Sequence, residues 1–504
     1  MTARDPARGT PLLLLERLDQ RLRAAASCVL AGMDQDGLTS GEPGTASAQL
    51  LPLLVEACGP EPGPEHWMLL TAVSGAFPLP AQVEQLARDV ALQLPHVVVA
   101  GLLGQFLDDP GSARLEWRLR VVADAVVVDV DYCAQHDTHT GIQRVVRETL
   151  PRWARDHRIV PVANVTSRTV YRSLTDRETA RVLEFGSTLP APVGDESEDV
   201  EPELIVPWRT TVVWPEVVDP HACTRLAALA QYSGNTVGLV AYDMIPILST
   251  ELRPFGESGI FARFLSAVKY ADRVAGISSS AMEEFQGFAD MLGAQGLPGP
   301  QVVEIELPED IGEHEFPAVG TYASTRPLVL ITGRREPHKN VRAALHAAER
   351  LWSEGLDFEV VMLGSRGWDE RLLTETMDRL KADGRPLTTL GWVTDEEMWG
   401  RIRDASFVVF ASLHEGYGLP ISEALACGTP VVTTNYGSQL EIGGKGGCLL
   451  VDPRDDAQLT AAMRELITDP ARLAQLRAEI PDRPQRRWDD YARQLWTYLV
   501  EGKA

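Results

Sequence analysis

Two apolar patterns divide the chain. Up to about residue 115, apolar residues recur at helical spacing, as in "PLLLLERLDQRLRAAASCVLAGM" and "LPAQVEQLARDVALQLPHVVVAGLLGQFL". Breaks rich in glycine and proline, "DQDGLTSGEPGT" and "CGPEPGPEHW", lie between them. This predicts a helical N-terminal region, 1–115, that carries no motif of chemistry and reads as a packing or partner-binding appendage. Near Ala123 the pattern changes. "ADAVVVDVDY" is a continuous valine run, as expected of a strand buried on both faces of a parallel sheet. Shorter runs follow, "RIVPVANV", "TTVVWP", "NTVGLVAYD" and "RVAGIS", and they alternate with helical segments such as "SGIFARFLSAVKYA" and "SAMEEFQGFADML". Ser280 with Glu283 predicts a capping box at the last of these. The acidic "PAPVGDESEDVEPELIVP" reads as a surface loop. The alternation predicts a doubly wound α/β domain over 121–310.

After a linker, "LPEDIGEHEFPAVGTYASTRP", a second alternating series runs over 322–485. "LVLITG", "FEVVMLG", "LTTLGWV", "SFVVFAS", "TPVVTTN" and "GCLLVD" read as strands. Gly355 is placed to stop the helix "NVRAALHAAERLWSEG", and Thr394 with Glu397 to cap "TDEEMWGRIRDA". The amphipathic tail, 486–504, is expected to cross back onto the first domain. The fold class is therefore α/β, with two Rossmann-like domains in series facing a cleft and an extra N-terminal helical region. Ligands of such sheets bind at the carboxyl ends of the strands.

Composition narrows the partners. The chain has 504 residues, is 44% hydrophobic and carries a formal net charge of −24. Such a surface repels nucleic acid and anionic membrane unless a local basic patch opposes it. The six cysteines form no C-x-x-C pair, which fits a reducing compartment better than a disulfide framework. The apolar run Pro11–Leu15 is interrupted at once by charge and makes a poor signal peptide. No uncharged apolar stretch approaches the ~18 residues of a membrane helix. A cytoplasmic protein is expected, with peripheral membrane or protein contact through 1–115 left open.

Two stretches carry candidate chemistry. In "HEGYGLPISEALACGTPVV", Glu415 lies just past a strand's carboxyl end. Gly416, Tyr417 and Gly418 let the backbone approach a ligand, and Pro420 suits a first helical turn. The helix start offers free N–H groups to an anion. Glu423 is expected in that first turn, near the same cleft. Two carboxylates beside an anion site suit a ligand with both phosphates and hydroxyls. In "LITGRREPHKN", a strand ends at Gly333, and Arg334, Arg335 and Lys339 follow before the next helix, where cations would neutralise phosphate.

"GRREPHKN", "VMLGSRGW", the stretch from "LGWVTDEEMW" to "ALACGTPVVTTN", and "GGCLLVDPRD" together resemble the nucleotide-sugar half of the retaining family-4 glycosyltransferases, with the GT-B fold and an E-x7-E motif. "DTHTGIQRVVRETL", "VAYDMIPI" and "YADRVAGISSSAMEEF" are similar to that family's first domain, so the resemblance covers about 121–500. It implies transfer of a hexose-type sugar from a nucleoside diphosphate to an acceptor hydroxyl of a glycan, lipid-linked or small-molecule acceptor, with retention of anomeric configuration. Glu415 would bind the moving sugar and stabilise charge at its anomeric carbon. Glu423 would hold the ribose. Gly333, Gly416, Tyr417, Gly418 and Leu419 would line the sugar and phosphates. Arg334 and Lys339 would stabilise the leaving diphosphate without metal or cofactor, and Gly141 would let the first domain's loop approach it. Many members of the resembled family have histidine before the aspartate of the "DxIP" segment, where this chain has Tyr242 before Asp243. Tyr242, Asp243 and His139 are candidate acceptor contacts.

Other signals carry less. "DVD" at 129–131 imitates a metal-binding D-x-D but ends a first-domain strand. Cys133, His136, Asp137 and His139 in "CAQHDTHTG" are conceivable zinc ligands, better explained by a cleft loop. His414 reads as a local hydrogen-bonding residue. Two other functions remain: a catalytically weak GT-B scaffold docking through 1–115, and a glycosyl phosphorylase, for which no pyridoxal-lysine context is present.

Overall fold

The computed structural model describes residues 11–30, 42–108, 115–138, 140–186, 203–310, 318–368, 371–483 and 486–503, leaving aside the side chains of 105–108 and 482. Five helices come first: α1 (Pro11–Val29), α2 (Thr45–Ala57), α3 (Pro64–Ser74), α4 (Pro80–Leu92) and α5 (Pro95–Asp108). The first sheet then begins earlier than the valine run suggests. Its strands are β1 (Arg118–Val122), β2 (Val126–Asp129), β3 (Ile159–Asn164), β4 (Tyr171–Ser173), β5 (Glu203–Pro207), β6 (Thr211–Trp214), β7 (Thr236–Ala241), β8 (Arg273–Gly276) and β9 (Gln301–Glu304). Their spatial order is β1-β5-β4-β3-β2-β6-β7-β8-β9. Only β4 runs antiparallel to its neighbours, β3 and β5. The end of the supposed acidic loop, "ELIVP", is strand β5, buried from Leu204 to Pro207.

The N-terminal helices share one apolar core with this sheet. Leu22, Leu54, Trp67 and Phe77 are buried in the same cluster as Val127, Ile205 and Leu239. Buried Arg21 locks the layer: its guanidinium donates to the carbonyls of Ala72 at 2.7 Å and Leu115 at 2.6 Å. The sheet's other face belongs to a second cluster. In β2, Val127 packs under the helices while Val126 and Val128 point the opposite way, which is the two-residue period of a pleated strand buried on both faces.

The second sheet is wholly parallel. Its strands are β10 (Leu328–Thr332), β11 (Glu359–Leu363), β12 (Leu387–Leu390), β13 (Phe407–Phe410), β14 (Val431–Thr434) and β15 (Cys448–Val451), in the order β12-β11-β10-β13-β14-β15. The cluster under the first sheet continues into this domain through Leu330, Phe410, Tyr417 and Ile421. It also takes in Trp488, Tyr491, Leu495 and Leu499 of the last helix, Trp488–Leu499. That helix lies on the first domain: Trp153 Nε1 donates to the Ala492 carbonyl at 2.8 Å, and a Cβ on Gly238 of β7 would meet Leu499 at 3.1 Å. The two domains are thus joined by one continuous core, with their strand ends facing each other.

Candidate active site

Every candidate on the second domain follows a strand's carboxyl end. After β10, Gly333 turns with φ +122°, a conformation that favours glycine. After β11, the chain crosses against this turn so closely that a Cβ on Gly364 would lie 1.9 Å from the Gly333 carbonyl oxygen, and one on Gly367 would lie 2.3 Å from that of Arg335. The glycines of "LGSRG" are therefore required for backbone crossing. After β13, the loop through Glu415 leads into the helix Leu419–Ala426, which Gly418 enters at φ +111°. Glu423 stands at the start of this helix's second turn and not in its first, because the helix begins one residue before Pro420, at Leu419.

The loop is held from both domains. Its carbonyls accept hydrogen bonds from Gln439 Nε2 (Ser412, 3.0 Å), Ser438 Oγ (Glu415, 2.9 Å) and the first domain's Ser278 Oγ (Gly416, 2.6 Å). A Cβ on Gly416 would fall 2.1 Å from the Tyr242 carbonyl oxygen and 3.2 Å from Asp243 Cβ. Gly141 abuts the same helix start, with Leu419 Cδ1 at 3.1 Å from an added Cβ. Tyr417 turns inward: its ring is in the core and its hydroxyl donates to the Leu307 carbonyl at 2.8 Å. Only its backbone borders the cleft.

Lys339 Nζ donates to both oxygens of Glu415, at 2.7 and 2.9 Å. The ammonium also lies 5.6 Å from the Phe410 ring centroid. Arg334 is more exposed and pairs with Glu336 at 3.0 Å. The other Glu336 oxygen takes Arg253 from the first domain at 3.0 Å. His338 is buried beside these cations. Burial first, then the Lys339 and Arg253 charges, push its pKa down to about 2, so it is a neutral imidazole.

Glu423 meets a first-domain cation that the sequence reading did not single out. Arg144 Nη1 donates to Glu423 Oε1 at 2.7 Å. Burial raises the Glu423 pKa, and Arg144 opposes that rise. Its spacing to Glu423 gives no signal, because 279 positions separate the two residues. Glu284 was likewise missed. His414 hydrogen-bonds as expected, but not locally, for its partners lie in the other domain: Nδ1 meets Ser249 Oγ at 2.8 Å and Nε2 meets Glu284 Oε1 at 2.7 Å. Burial pulls the His414 pKa down, but the Glu284 bond and charge outweigh it and the net direction is up.

The acceptor-side candidates separate. The Tyr242 side chain is buried, and its hydroxyl donates to the Pro215 carbonyl at 2.7 Å, so it packs within the first domain instead of reaching a ligand. Asp243 lies against Gly416 and accepts from the Ile245 amide at 3.0 Å. Burial, with the Glu284 and Glu415 charges, raises its pKa to about 6. His139 lies outside the described residues.

The discounted signals have local partners. Asp129 ends β2 and is buried. Burial, with Asp131 and Glu216 nearby, pushes its pKa well up. Asp131 accepts from Arg168 at 2.6 Å and from the Asn164 amide at 2.7 Å. Cys133 is buried, the His136 ring packs 4.4 Å from that of Tyr132, and Asp137 pairs with Arg181 at 2.9 Å. Among the described residues, no group of three or more His, Cys, Asp or Glu side chains could hold a metal ion. No described helix is long and apolar enough to cross a membrane.

Known proteins share this architecture. The fold is GT-B. A solved structure of Anabaena Alr3699/HepE in complex with UDP-glucose covers 75% of this chain and 99% of its own, with a TM-score of 0.50 at 14% identity. Residues 313–490 match the family described as "Glycosyl transferases group 1". The "Serotype-specific mannosyltransferase WbdA" of Escherichia coli is 28% identical over 330 residues, covering 61% of this chain and 38% of that protein. The "GDP-mannose-dependent alpha-(1-6)-phosphatidylinositol dimannoside mannosyltransferase" of Mycobacterium tuberculosis (strain ATCC 25177 / H37Ra) is 27% identical over 280 residues, 53% of this chain and 69% of that protein. The chain thus spans well under half the length of the WbdA protein that it matches.

Proposed function

We propose that the chain is a retaining, metal-independent glycosyltransferase that moves a hexose from a nucleoside diphosphate to an acceptor hydroxyl of a surface polysaccharide or glycolipid. The mannosyltransferase relatives make mannose, carried on GDP, the first sugar to test. One observation carries the reading: the Lys339–Glu415 pair stands at the strand ends of the second domain, with Glu415 in the loop that enters the helix at Leu419, and the first domain's Gly141 abuts that helix start. A donor diphosphate there would meet the Lys339 ammonium, the Arg334 guanidinium and the Gly418 and Leu419 amides at the helix start, where Pro420 has no N–H and the Ile421 amide already donates to the Gly418 carbonyl. Glu415, released from Lys339 as the phosphates take that cation, would accept from the sugar hydroxyls. It would also stabilise positive charge at the anomeric carbon as the leaving group departs. The acceptor hydroxyl would attack from the same face, passing its proton to the oxygen of the departing diphosphate.

A second reading, a GT-B scaffold without turnover, is favoured by a different observation. Both carboxylates of the pair are already engaged, Glu415 by Lys339 and Glu423 by Arg144. A panel of GDP-, UDP- and TDP-hexoses with a glycan acceptor extract decides between them. The enzyme predicts turnover or slow hydrolysis of one donor, lowered in Glu415→Gln by at least about 100-fold, the scale of one electrostatic contact to a transition state. Nucleotide binding without turnover of any donor would count for the scaffold, and absence of nucleotide binding would overturn the enzyme.

A further inference from the structure

Arg144 is in the first turn of the helix Gly141–Asp156, the segment that brings the first domain's glycine to the second domain's helix start. Its guanidinium is enclosed from four directions. Nη1 donates to Glu423 Oε1 at 2.7 Å, and Nη2 donates to the Asp310 carbonyl at 3.3 Å. The Trp399 and Trp488 rings lie 6.0 and 5.8 Å from its central carbon, at cation–π range. Trp488 is itself fixed by its Nε1 donating to the same Asp310 carbonyl at 3.0 Å. These partners come from the second domain, the segment after β9 and the returning last helix. The Arg144 and Glu423 side chains are only 10% and 15% exposed, so this is no solvated surface pair.

We infer that Arg144 is the positioning residue for the donor's ribose: it holds the Glu423 carboxylate through Oε1 and leaves Oε2 to accept from the ribose hydroxyls. This rests on the donor site proposed above. The chemistry is specific. An ionised carboxylate accepts from both hydroxyls of a vicinal diol, and burial alone would favour the protonated acid. A planar guanidinium fixes a carboxylate's orientation as well as its charge, which an ammonium would not. Because Arg144 belongs to the first domain, the ribose site in the second domain is complete only while the two domains are closed on each other. Donor affinity would therefore depend on a residue that touches no donor atom.

The test compares binding of GDP and UDP with their 2′,3′-dideoxy forms in the parent protein, Arg144→Met and Arg144→Lys, with donor kinetics alongside. The parent should prefer the ribose form. Arg144→Met should lose about tenfold or more in affinity for it, a change of about 1.4 kcal/mol, with little change for the dideoxy form. Donor KM should rise similarly while kcat stays within about threefold, the signature of lost ground-state binding. Arg144→Lys should fall between the two. A merely structural role would weaken both nucleotide forms alike. If Arg144→Met does not fold, Arg144→Lys decides by its preference for the ribose form. Undiminished preference in a folded variant would overturn the inference while leaving the glycosyltransferase reading standing. A parent that binds none of GDP, UDP and TDP would sink both.

Discussion

His338 shows how strongly the cleft biases single residues. Its folded pKa near 2 contrasts with the ordinary 6.5. Above pH 6.5 the imidazole is neutral in both folded and unfolded chains and contributes nothing to the pH dependence. Below it the unfolded chain takes up the proton first, so stability falls with pH down to the folded value, by at most about 1.4 kcal/mol per pH unit. Urea titrations of His338→Gln should show a shallower loss between pH 6.5 and 4 than the parent; equal slopes would mean that this group does not set the acid limb. Gly416 is constrained by shape. A methyl there would sit 2.1 Å from the Tyr242 carbonyl oxygen, which is backbone of the other domain. Gly416→Ala should cost about 1–3 kcal/mol in thermal or chemical unfolding, the scale of overpacking. Residues of this kind were partly legible. Glu415, Gly416 and Lys339 stand within short strand–loop–helix words, where local rules operate. Arg144, Glu284 and Ser249 act across the domain interface, and no local spacing records such partners.

At the scale of elements, the helix Ser279–Leu292 shows how a cap is supplied from far away. The sequence suggests Ser280 and Glu283 as a capping box. Instead Ser278 is the N-cap and its Oγ accepts from the Ala281 amide at 3.0 Å. The Ser279 and Ser280 amides donate to the Glu441 carboxylate, at 3.0 and 2.8 Å. Glu441 comes from the second domain, so an acidic side chain fills the positive end of a first-domain helix. Glu441→Ala should lower stability by about 1–2 kcal/mol, the upper range for a lost cap, read from chemical denaturation. Hydrogen exchange should accelerate first at the amides of Ser279 and Ser280; protection there unchanged would contradict the assignment. Buried strands were legible from their valine runs. The short strands β1, β4, β5 and β9 were not, since a three- to five-residue run flanked by charge carries little period.

At the scale of the molecule, three pieces of sequence build one body. The N-terminal helices cover one face of the first sheet, and the last helix returns to cover part of the other. Leu495, in that last helix, is wholly buried in the cluster that spans both domains. Leu495→Ala should cost about 2–5 kcal/mol, the range for a cavity left in a packed core. The cost should appear in one unfolding transition if the shared core couples the domains, and in an early transition of the first domain alone if it does not. The two-domain plan could be read from alternating strands and helices. The role of 11–108 as a layer of the first domain could not, because helical periodicity shows that a face is buried but not against what.

The central claim is that the cleft takes a donor diphosphate between Lys339, Arg334 and the helix start at Leu419. It is tested most directly by a crystal structure with the nucleoside diphosphate of the preferred donor, prepared in the presence of a metal chelator. The account predicts diphosphate oxygens within hydrogen-bond distance of Lys339 Nζ and the helix-start amides, Glu415 released from Lys339, and the ribose hydroxyls on Glu423 with Arg144 still behind it. A nucleotide bound elsewhere, or a diphosphate in the cleft that leaves the Lys339–Glu415 pair intact, would contradict it.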